Sequence, residues 1–247
     1  MSLRGEAASG FGRAAAAYER GRPAYPAEAV AWMAAELGIT EGSTVIDLGA
    51  GTGKFTRMLG PRRAHIIAVE PVAAMRAELA RRVPGIDIRD GTAEAIPCRD
   101  EQADVVVAAQ AFHWFATVAA VNEISRVLRP GGGLGLIWNR RLMSDRLQAS
   151  VEAVIQRYRG DAPAHERNDW RSVLPGSRFE EIGQFECRHA QAVDLDGLLD
   201  RVLSTSFIAA LDDQARERVE REIRGLVAGR RQFVLPYRTE VYLFRRA

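Results

Sequence analysis

A glycine-rich stretch, VIDLGAGTGKFT at residues 45–56, is the part of the sequence whose residue types most directly suggest chemistry. Gly49, Gly51 and Gly53 alternate with small residues just after an apolar run, and Asp47 precedes them. Because glycine lacks a Cβ, such a turn lets the main chain touch a ligand, and N–H groups at a following helix start attract anions. The pattern predicts a site for a phosphate, a dinucleotide or an adenosyl cofactor.

The spacing of the glycines separates these ligand classes. The phosphate-binding P-loop requires G-x-x-x-x-G-K-[ST]. Alignment on Gly53 and Lys54 puts Leu48 at its first glycine and Phe55 where a hydroxyl is needed. The dinucleotide pattern G-x-G-x-x-G also differs, because the third glycine here arrives one residue early. We therefore interpret Lys54 as a solvated residue in the first turn of a helix.

Acidic residues beside the turn favour an adenosyl cofactor. Asp47 gives the pattern D-x-G-x-G-x-G, and an acid there suits S-adenosylmethionine, which carries an ammonium and a sulfonium. Glu70 ends the next apolar run, where a carboxylate can accept hydrogen bonds from both ribose hydroxyls. Nicotinamide enzymes share this second feature, so Glu70 predicts an adenosine-type ligand without choosing between the cofactors.

Alternating strands and helices must position these residues. We predict strands over 43–49, 64–70, 86–90, 103–110 and 133–139, and helices over 54–60, 72–83 and within 117–132. In the last of these stretches Thr117 is the expected helix N-cap, and Pro130-Gly131 lies beyond the helix end. Mostly apolar strands that alternate with helices predict an α/β fold with a doubly wound parallel sheet. Further along we predict a helix over 144–158, a strand over 179–193, helices over 195–210 and 212–229, and a last strand over 238–246.

Length and composition predict one domain. The 247 residues, 47% of them hydrophobic, are enough for one sizeable core. We expect a single domain over 1–247, with an N-terminal cap at 1–35, a cofactor-binding core at 36–140 and a substrate-side elaboration at 141–247. The helical insertion at 195–229 lies between two strands of that last part.

Several motifs, in order, make the chain resemble class I S-adenosylmethionine-dependent methyltransferases of the type 11 group. VIDLGAGTGKFT is similar to their first motif, VEP to their ribose-binding acid, DGTAEAIP to their adenine-side segment and DVVVAAQAFHWF to their fourth motif. EISRVLRPGGGLGLIW resembles the helix and strand that follow. More narrowly, YERGRPAYP and LPYRTEVY resemble a small-molecule branch that includes trans-aconitate methyltransferases.

The resemblance implies a Rossmann-like seven-stranded sheet, mostly parallel with the last strand antiparallel, and helical lid elements. It implies that the glycine turn lines the cofactor, that Glu70 binds ribose, that 92–94 flank adenine and that 110–111 meet the methionine part. The expected cofactor-binding residues are Asp47, Gly49, Ala50, Gly51, Thr52, Gly53, Glu70, Pro71, Thr92, Ala93, Glu94, Gln110 and Ala111.

Catalytic and acceptor-binding candidates lie near the same strand ends. His113 is the only histidine in a motif, and an imidazole titrates near neutrality, so it is a candidate general base. The alternative is that His113 packs against the cofactor or donates one structural hydrogen bond. Arginine suits carboxylates through its two-pronged donor geometry. The expected lid or substrate residues are Tyr18, Arg22, Tyr25, Trp114, Asn139, Arg140 and Arg238.

Charge and composition exclude several classes of binding partner. The net charge of +2, with scattered arginines, predicts no nucleic-acid binding, and no apolar stretch predicts a membrane span. Two distant cysteines and four histidines without ligand spacing predict no metal site. The start of the chain lacks the apolar block of a signal peptide, so we expect a cytoplasmic protein.

We expect methyl transfer from S-adenosylmethionine to a small-molecule acceptor at a carboxylate or hydroxyl oxygen. A carboxylate acceptor needs no base, whereas a hydroxyl or carbon acceptor would use His113. The motif N/D-P-P-Y/F of adenine- and amine-directed methyltransferases is absent, which argues against DNA methylation. Alternatives are C-methylation, a non-catalytic cofactor-binding module and a nicotinamide-dependent oxidoreductase. Nothing in the sequence predicts an oligomeric state.

Overall fold

A seven-stranded sheet forms the centre of the chain. The computed structural model describes residues 15, 17–160 and 169–247. The strands are β1 (Thr44–Leu48), β2 (His65–Val69), β3 (Asp87–Arg89), β4 (Ala103–Ala109), β5 (Leu128–Arg141), β6 (Phe179–Asp194) and β7 (Gln232–Arg246), in the order β3-β2-β1-β4-β5-β7-β6. Strands β1 to β5 pair in parallel, and β7 is antiparallel to β5 and β6. The Rossmann-like sheet with an antiparallel last strand is confirmed.

Helices cover both faces of this sheet. They are α1 (Ala27–Glu36), α2 (Thr56–Leu59), α3 (Ala73–Arg82), α4 (Val118–Val127), α5 (Arg146–Gln156), α6 (Leu195–Leu203), α7 (Ser206–Ala209) and α8 (Asp213–Leu226). Side chains alternate along each strand: Ile46 and Leu48 pack in the cluster that contains α4, and Val45 packs in the cluster that contains α1. Within the described ranges, none of these helices is long and apolar enough to cross a membrane.

The boundary between α4 and β5 differs from the prediction. Thr117 is the predicted N-cap, since its Oγ1 accepts a hydrogen bond from Ala120 N–H at 3.1 Å. The helix ends at Val127, and Pro130 and Gly131 lie beyond its end as predicted, but the strand begins at Leu128 instead of residue 133. Arg129 precedes Pro130, and a proline ring disfavours the helical conformation of the residue before it.

The last strand is longer than predicted. It begins at Gln232 instead of residue 238 and pairs with β6 along its whole length. Phe233, Leu235 and Tyr237 are buried while Val234 is exposed, which is the two-residue period of a strand with one covered face. Pro236 lies inside this strand and masks its pattern in the sequence.

The helices between β6 and β7 cover the extended end of β7. The predicted helix over 195–210 is two helices, α6 and α7, separated at Ser204 and Thr205. Side chains of α5, α6 and α8 share one apolar cluster with Phe233, Leu235 and Tyr237. Residues 1–14 of the predicted N-terminal cap lie outside the described residues, and 17–21 form a short helical segment.

Candidate cofactor and acceptor site

The carboxyl ends of β1, β2 and β4 open on a cavity. Ligands of open α/β sheets bind at this edge. The cavity combines the glycine turn, the end of β2 and two loops with an apolar wall, and is lined by Tyr18, Leu48, Gly49, Gly51, Glu70, Pro71, Val72, Met75, Gly91, Thr92, Ala93, Glu94, Ala109, Gln110, Ala111, Trp114 and Phe115. An elongated ligand can therefore touch most of the predicted cofactor residues at once.

A second cavity adjoins the first on the lid side. The two share Tyr18, Gly49, Gly51, Ala109 and Gln110, so they form one continuous site. The remaining wall of the second cavity is Arg22, Pro23, Tyr25, Ala50, Thr52, Lys54 and Phe55. The predicted lid residues Tyr18, Arg22 and Tyr25 are thus brought together with the predicted cofactor residues.

The three glycines of the turn have different surroundings, although all have positive φ angles of 59–81°. A Cβ on Gly51 would meet no atom within 4 Å, so this position faces open space in the cavity. A Cβ on Gly49 would lie 2.9 Å from the Cβ of Ala111, which brings the turn against the end of β4. Gly53 lies outside the cavity wall, where a Cβ would lie 3.0 Å from Leu79 on α3.

Glu70 joins the glycine turn to the start of α3. Its Oε2 accepts the N–H of Gly51 at 2.9 Å, and its Oε1 accepts the N–H of Val72 at 2.9 Å. Burial raises the pKa of this carboxyl, and the two backbone hydrogen bonds oppose that rise. The carboxylate is held rigidly at the cavity wall, and each oxygen retains a lone pair that can accept from a ligand hydroxyl.

Asp47 lies behind the turn and outside the cavity wall. Its Oδ2 accepts the hydroxyl hydrogen of Thr56 at 2.6 Å, and its Oδ1 has no hydrogen-bond partner among the described residues. Burial raises the pKa of this carboxyl to about 7, the Thr56 bond opposes the rise, and the charge of Glu70 adds to it. Its direct contact is with α2, at the base of the turn.

The raised pKa of Asp47 makes protein stability depend on pH. The folded chain holds this proton with a pKa of about 7 against 3.8 for an ordinary carboxyl, so its contribution to stability is greatest below the lower value. That contribution is lost as the pH rises through the folded pKa. Relative to Asp47→Asn, the unfolding free energy of the wild type should fall by about 3 kcal/mol between pH 5 and pH 8. Urea unfolding of both proteins at each pH measures this, and parallel pH profiles would contradict it.

Lys54 attaches the N-terminal segment to the glycine turn. Its Nζ donates hydrogen bonds to the carbonyl oxygens of Glu19 at 2.7 Å and Arg22 at 2.8 Å. Glu19 belongs to none of the predicted site residues. Its carboxylate accepts hydrogen bonds from Thr52 Oγ1 at 2.6 Å and from Arg57 Nη2 at 2.5 Å. The interpretation of Lys54 as a solvated residue is wrong, because its partners come from a segment more than 30 positions away.

Replacing Lys54 by methionine should loosen the lid segment. The variant keeps the alkyl stem and loses two charge-assisted hydrogen bonds, so local opening of 17–26 should become at least about tenfold more frequent. Hydrogen exchange of peptides from this segment measures the effect. Arg63→Met is the control, because Arg63 is exposed and pairs only with exposed Glu41. Equal exchange in both variants would contradict the role given to Lys54.

Gln110 has a strained backbone at the mouth of the cavity. Its φ of 56° is in the left-handed region, which is uncommon for a residue other than glycine. Two hydrogen bonds hold it there: its N–H donates to Ile137 O at 2.9 Å, and its Nε2 donates to Asn139 O at 3.0 Å. Strain that the surroundings enforce in this way is characteristic of ligand sites.

His113 does not line either cavity. Its Nδ1 accepts the indole N–H of Trp138 at 3.2 Å, and its ring packs beside Trp114. His113 therefore makes a structural hydrogen bond, although it accepts this bond instead of donating it as predicted. Trp114, in contrast, lines the cofactor cavity beside Phe115.

Three further predicted substrate residues have other partners. Arg140 and Arg238 both donate to Oε1 of Glu240, at 3.0 Å and 2.9 Å. Asn139 Nδ2 donates to Ala24 O at 3.1 Å, which anchors the lid segment to β5. None of the three lines the cavities.

Comparison with known proteins identifies the class to which this fold and site belong. Residues 46–136 match the family described as a methyltransferase domain. The chain is 39% identical over 207 residues to an uncharacterised methyltransferase-like protein of Schizosaccharomyces pombe, covering 83% of this chain and 81% of that protein. The chain therefore belongs to the class I S-adenosylmethionine-dependent methyltransferase family, and it is a methyltransferase.

Solved structures show the same fold at low sequence identity. A proposed type II methyltransferase from Anaeromyxobacter dehalogenans superposes with a TM-score of 0.64 at 24% identity, covering 91% of this chain and 97% of that one. Geranyl diphosphate methyltransferase, solved in complex with S-adenosylmethionine, gives a TM-score of 0.54 at 16% identity, covering 90% of this chain and 85% of that one. These similarities concern the fold alone.

Proposed function

We propose that the chain transfers the methyl group of S-adenosylmethionine to an oxygen of a small-molecule acceptor, and that this oxygen belongs to a carboxylate. The observation that carries the cofactor assignment is the pairing of Gly51 with Glu70. The glycine leaves open space in the cavity, and the carboxylate beside it is positioned by two backbone N–H groups. A similar fold in geranyl diphosphate methyltransferase, solved with S-adenosylmethionine, supports the assignment.

The described residues fit the parts of this cofactor. Glu70 would accept from the ribose hydroxyls, and 92–94 with Val72 and Met75 would enclose the adenine. The main chain of Gly49 and Gly51, with Gln110, would contact the methionine part. When bound, the cofactor supplies a methyl group activated by the neighbouring sulfonium.

The chain itself contributes binding, orientation and exclusion of water. Tyr18, which lines both cavities, covers the junction between them, and the Lys54 hydrogen bonds keep its segment in place. Holding the acceptor in line with the methyl group replaces an unfavourable encounter in solution. A carboxylate oxygen reacts without a base, and the base candidate His113 lies outside the cavities. This arrangement favours a carboxylate over a hydroxyl or carbon acceptor.

The acceptor and the cellular location are also proposals. The two cysteines are free thiols, which supports a reducing, cytoplasmic environment. The scattered charges and small cavities support a small molecule instead of a nucleic acid or a membrane.

Product chemistry tests the proposed function. The protein is incubated with S-adenosylmethionine and a panel of small carboxylic acids, phenols and alcohols, and products are detected by mass. We expect S-adenosylhomocysteine together with a methylated acid whose methyl group is released by mild alkali, as for an ester. An alkali-stable product would contradict transfer to a carboxylate, and absence of any methylated product across the panel would contradict the proposed acceptor class.

A further inference from the structure

Arginines around the lid differ in whether a carboxylate neutralises them. Arg57 pairs with Glu19, Arg140 and Arg238 pair with Glu240, and Arg141 pairs with Glu152. Arg22 and Arg201 are different, since neither forms an ion pair with any described residue. The Arg22 guanidinium lies over the ring of Tyr18, 4.8 Å from its centre, which is a cation–π contact and not an ion pair.

Both unpaired guanidiniums also have buried donors that meet no acceptor. Arg201, on α6, is 5% exposed, and its Nη1 has no hydrogen-bond partner among the described residues. The same holds for Nε of Arg22. Burying a positive charge without a carboxylate is costly, and the contacts of Arg22 with the Tyr18 ring and of Arg201 with the Tyr237 hydroxyl offset only part of that cost, so an anionic ligand would stabilise both arginines.

The two arginines lie close together. The backbone of Gly21 touches that of Arg201, because a Cβ on Gly21 would lie 2.3 Å from Arg201 N. Burial lowers the pKa of the Arg22 guanidinium to about 9, and the positive charge of Arg201 is the second cause. Two like charges in one enclosed place define a strongly positive position.

Hydrogen bonds fix the direction of Arg201. Its Nε donates to the hydroxyl oxygen of Tyr237 at 3.2 Å, and that hydroxyl donates to Gln191 Oε1 at 3.5 Å. Gln191 Nε2 in turn donates to Gly21 O at 3.3 Å, which joins the chain of contacts to the lid. One edge of the guanidinium is thereby occupied while Nη1 is left without a partner.

The positive position adjoins the acceptor side of the site. Arg22 lines the second cavity together with Gly49 and Gln110, on the side where the methionine part of the cofactor would lie. We propose that Arg22 binds a carboxylate of the methyl acceptor, and that Arg201, which lies beside the lid outside the cavity lining, adds the second positive charge that selects anionic acceptors. This inference rests on the proposed function and adds the residues that recognise the acceptor. A carboxylate held by two guanidiniums is a weak nucleophile, so the oxygen that is methylated is a different one on the same molecule.

The methionine part of the cofactor also carries a carboxylate. The experiment therefore measures binding of the cofactor and binding of an acceptor-like carboxylate separately. Arg201→Gln and a matched control, Arg224→Gln, are compared with the wild type. Arg224 lies on the neighbouring helix α8 and is paired with Glu220, so the control removes the same charge away from the site. S-Adenosylhomocysteine is first titrated into each protein by calorimetry. Then succinate, glutarate, citrate, succinamide and inorganic phosphate are titrated into the loaded proteins.

We expect S-adenosylhomocysteine to bind all three proteins within about twofold of one another. At least one carboxylate should bind the wild type and the control, and should bind Arg201→Gln at least about tenfold more weakly, while succinamide binds none. Arg22→Gln should show the same loss of carboxylate binding, and it serves as the second variant if Arg201→Gln does not fold.

Four outcomes would overturn the inference. In the first, Arg201→Gln binds S-adenosylhomocysteine at least tenfold more weakly than the wild type; in the second, the variant and the wild type bind carboxylates equally. In the third, the wild type binds phosphate but no carboxylate, and in the fourth it binds no anion. Failure of S-adenosylhomocysteine to bind the wild type would instead reject the proposed function, and it is read in a separate titration.

Discussion

Replacing Glu70 by glutamine is expected to weaken binding of S-adenosylhomocysteine about 100-fold. The carboxylate accepts two backbone hydrogen bonds that fix the turn, and its remaining lone pairs are placed for the ribose hydroxyls. Glutamine has one accepting oxygen, so its NH₂ group would face either Gly51 N–H or Val72 N–H, donor against donor. Loss of about 3 kcal/mol follows from an unsatisfied buried donor and a lost ribose bond.

Calorimetry with S-adenosylhomocysteine and with adenine separates this effect from general damage. Glu94→Gln is the control, because Glu94 lines the same cavity and, within the described part of the chain, has no hydrogen bond to the turn such as Glu70 has. We expect the large loss for S-adenosylhomocysteine with Glu70→Gln only, and a much smaller change for adenine, which lacks ribose. A dissociation constant that stays within threefold of the wild type would show that Glu70 does not hold the ribose.

Replacing Gly51 by alanine is expected mainly to weaken ligand binding, whereas replacing Gly53 by alanine is expected mainly to destabilise the fold. Both positions have positive φ angles, so each variant loses about 1 kcal/mol of stability through backbone strain. At Gly51 the new methyl group projects into the open cavity, where it should reduce S-adenosylhomocysteine affinity at least about 30-fold by displacing the ligand. At Gly53 the methyl group would press on Leu79 and Val83, which adds about 1–3 kcal/mol of destabilisation.

Urea unfolding and calorimetry on the same two variants measure the two effects. The expected pattern is weak binding with modest destabilisation for Gly51→Ala, and larger destabilisation with binding nearly unchanged for Gly53→Ala. If Gly53→Ala lost binding while Gly51→Ala kept it, the assignment of Gly51 to the ligand side of the turn would be wrong.

The central sheet could be predicted because its strands carry their own pattern. Residues 45–48 and 105–108 are apolar almost without interruption, as strands covered on both faces must be. The glycine turn and Glu70 follow such strands directly, so topology alone places them at one edge of the sheet. The seventh strand was predicted too short because Pro236 interrupts its pattern, although its pairing with β6 continues through that residue.

Side-chain partners distant in sequence could not be predicted. Lys54 was interpreted as solvated, whereas its Nζ meets two carbonyls of the lid segment. Arg140 and Arg238 were expected to face a substrate, but Glu240 neutralises both. The burial of Arg201 could not be predicted, because an arginine in an amphipathic helix normally points into solvent and only tertiary packing buries this one. The periodicity of apolar residues predicts on which face of a helix or strand a residue lies. Tertiary packing decides which other residues contact that face.

The most direct test of the account is a calorimetric titration of the wild-type protein with S-adenosylhomocysteine and, separately, with NADH. Both ligands contain an adenosine, and Glu70 could accept hydrogen bonds from the ribose of either one. The comparison therefore tests whether the glycine spacing and the adjoining cavity select S-adenosylhomocysteine. We predict saturable heat at one site per chain for S-adenosylhomocysteine and none for NADH. Saturation by NADH with no heat from S-adenosylhomocysteine would contradict the cofactor assignment and the methyl-transfer chemistry built on it.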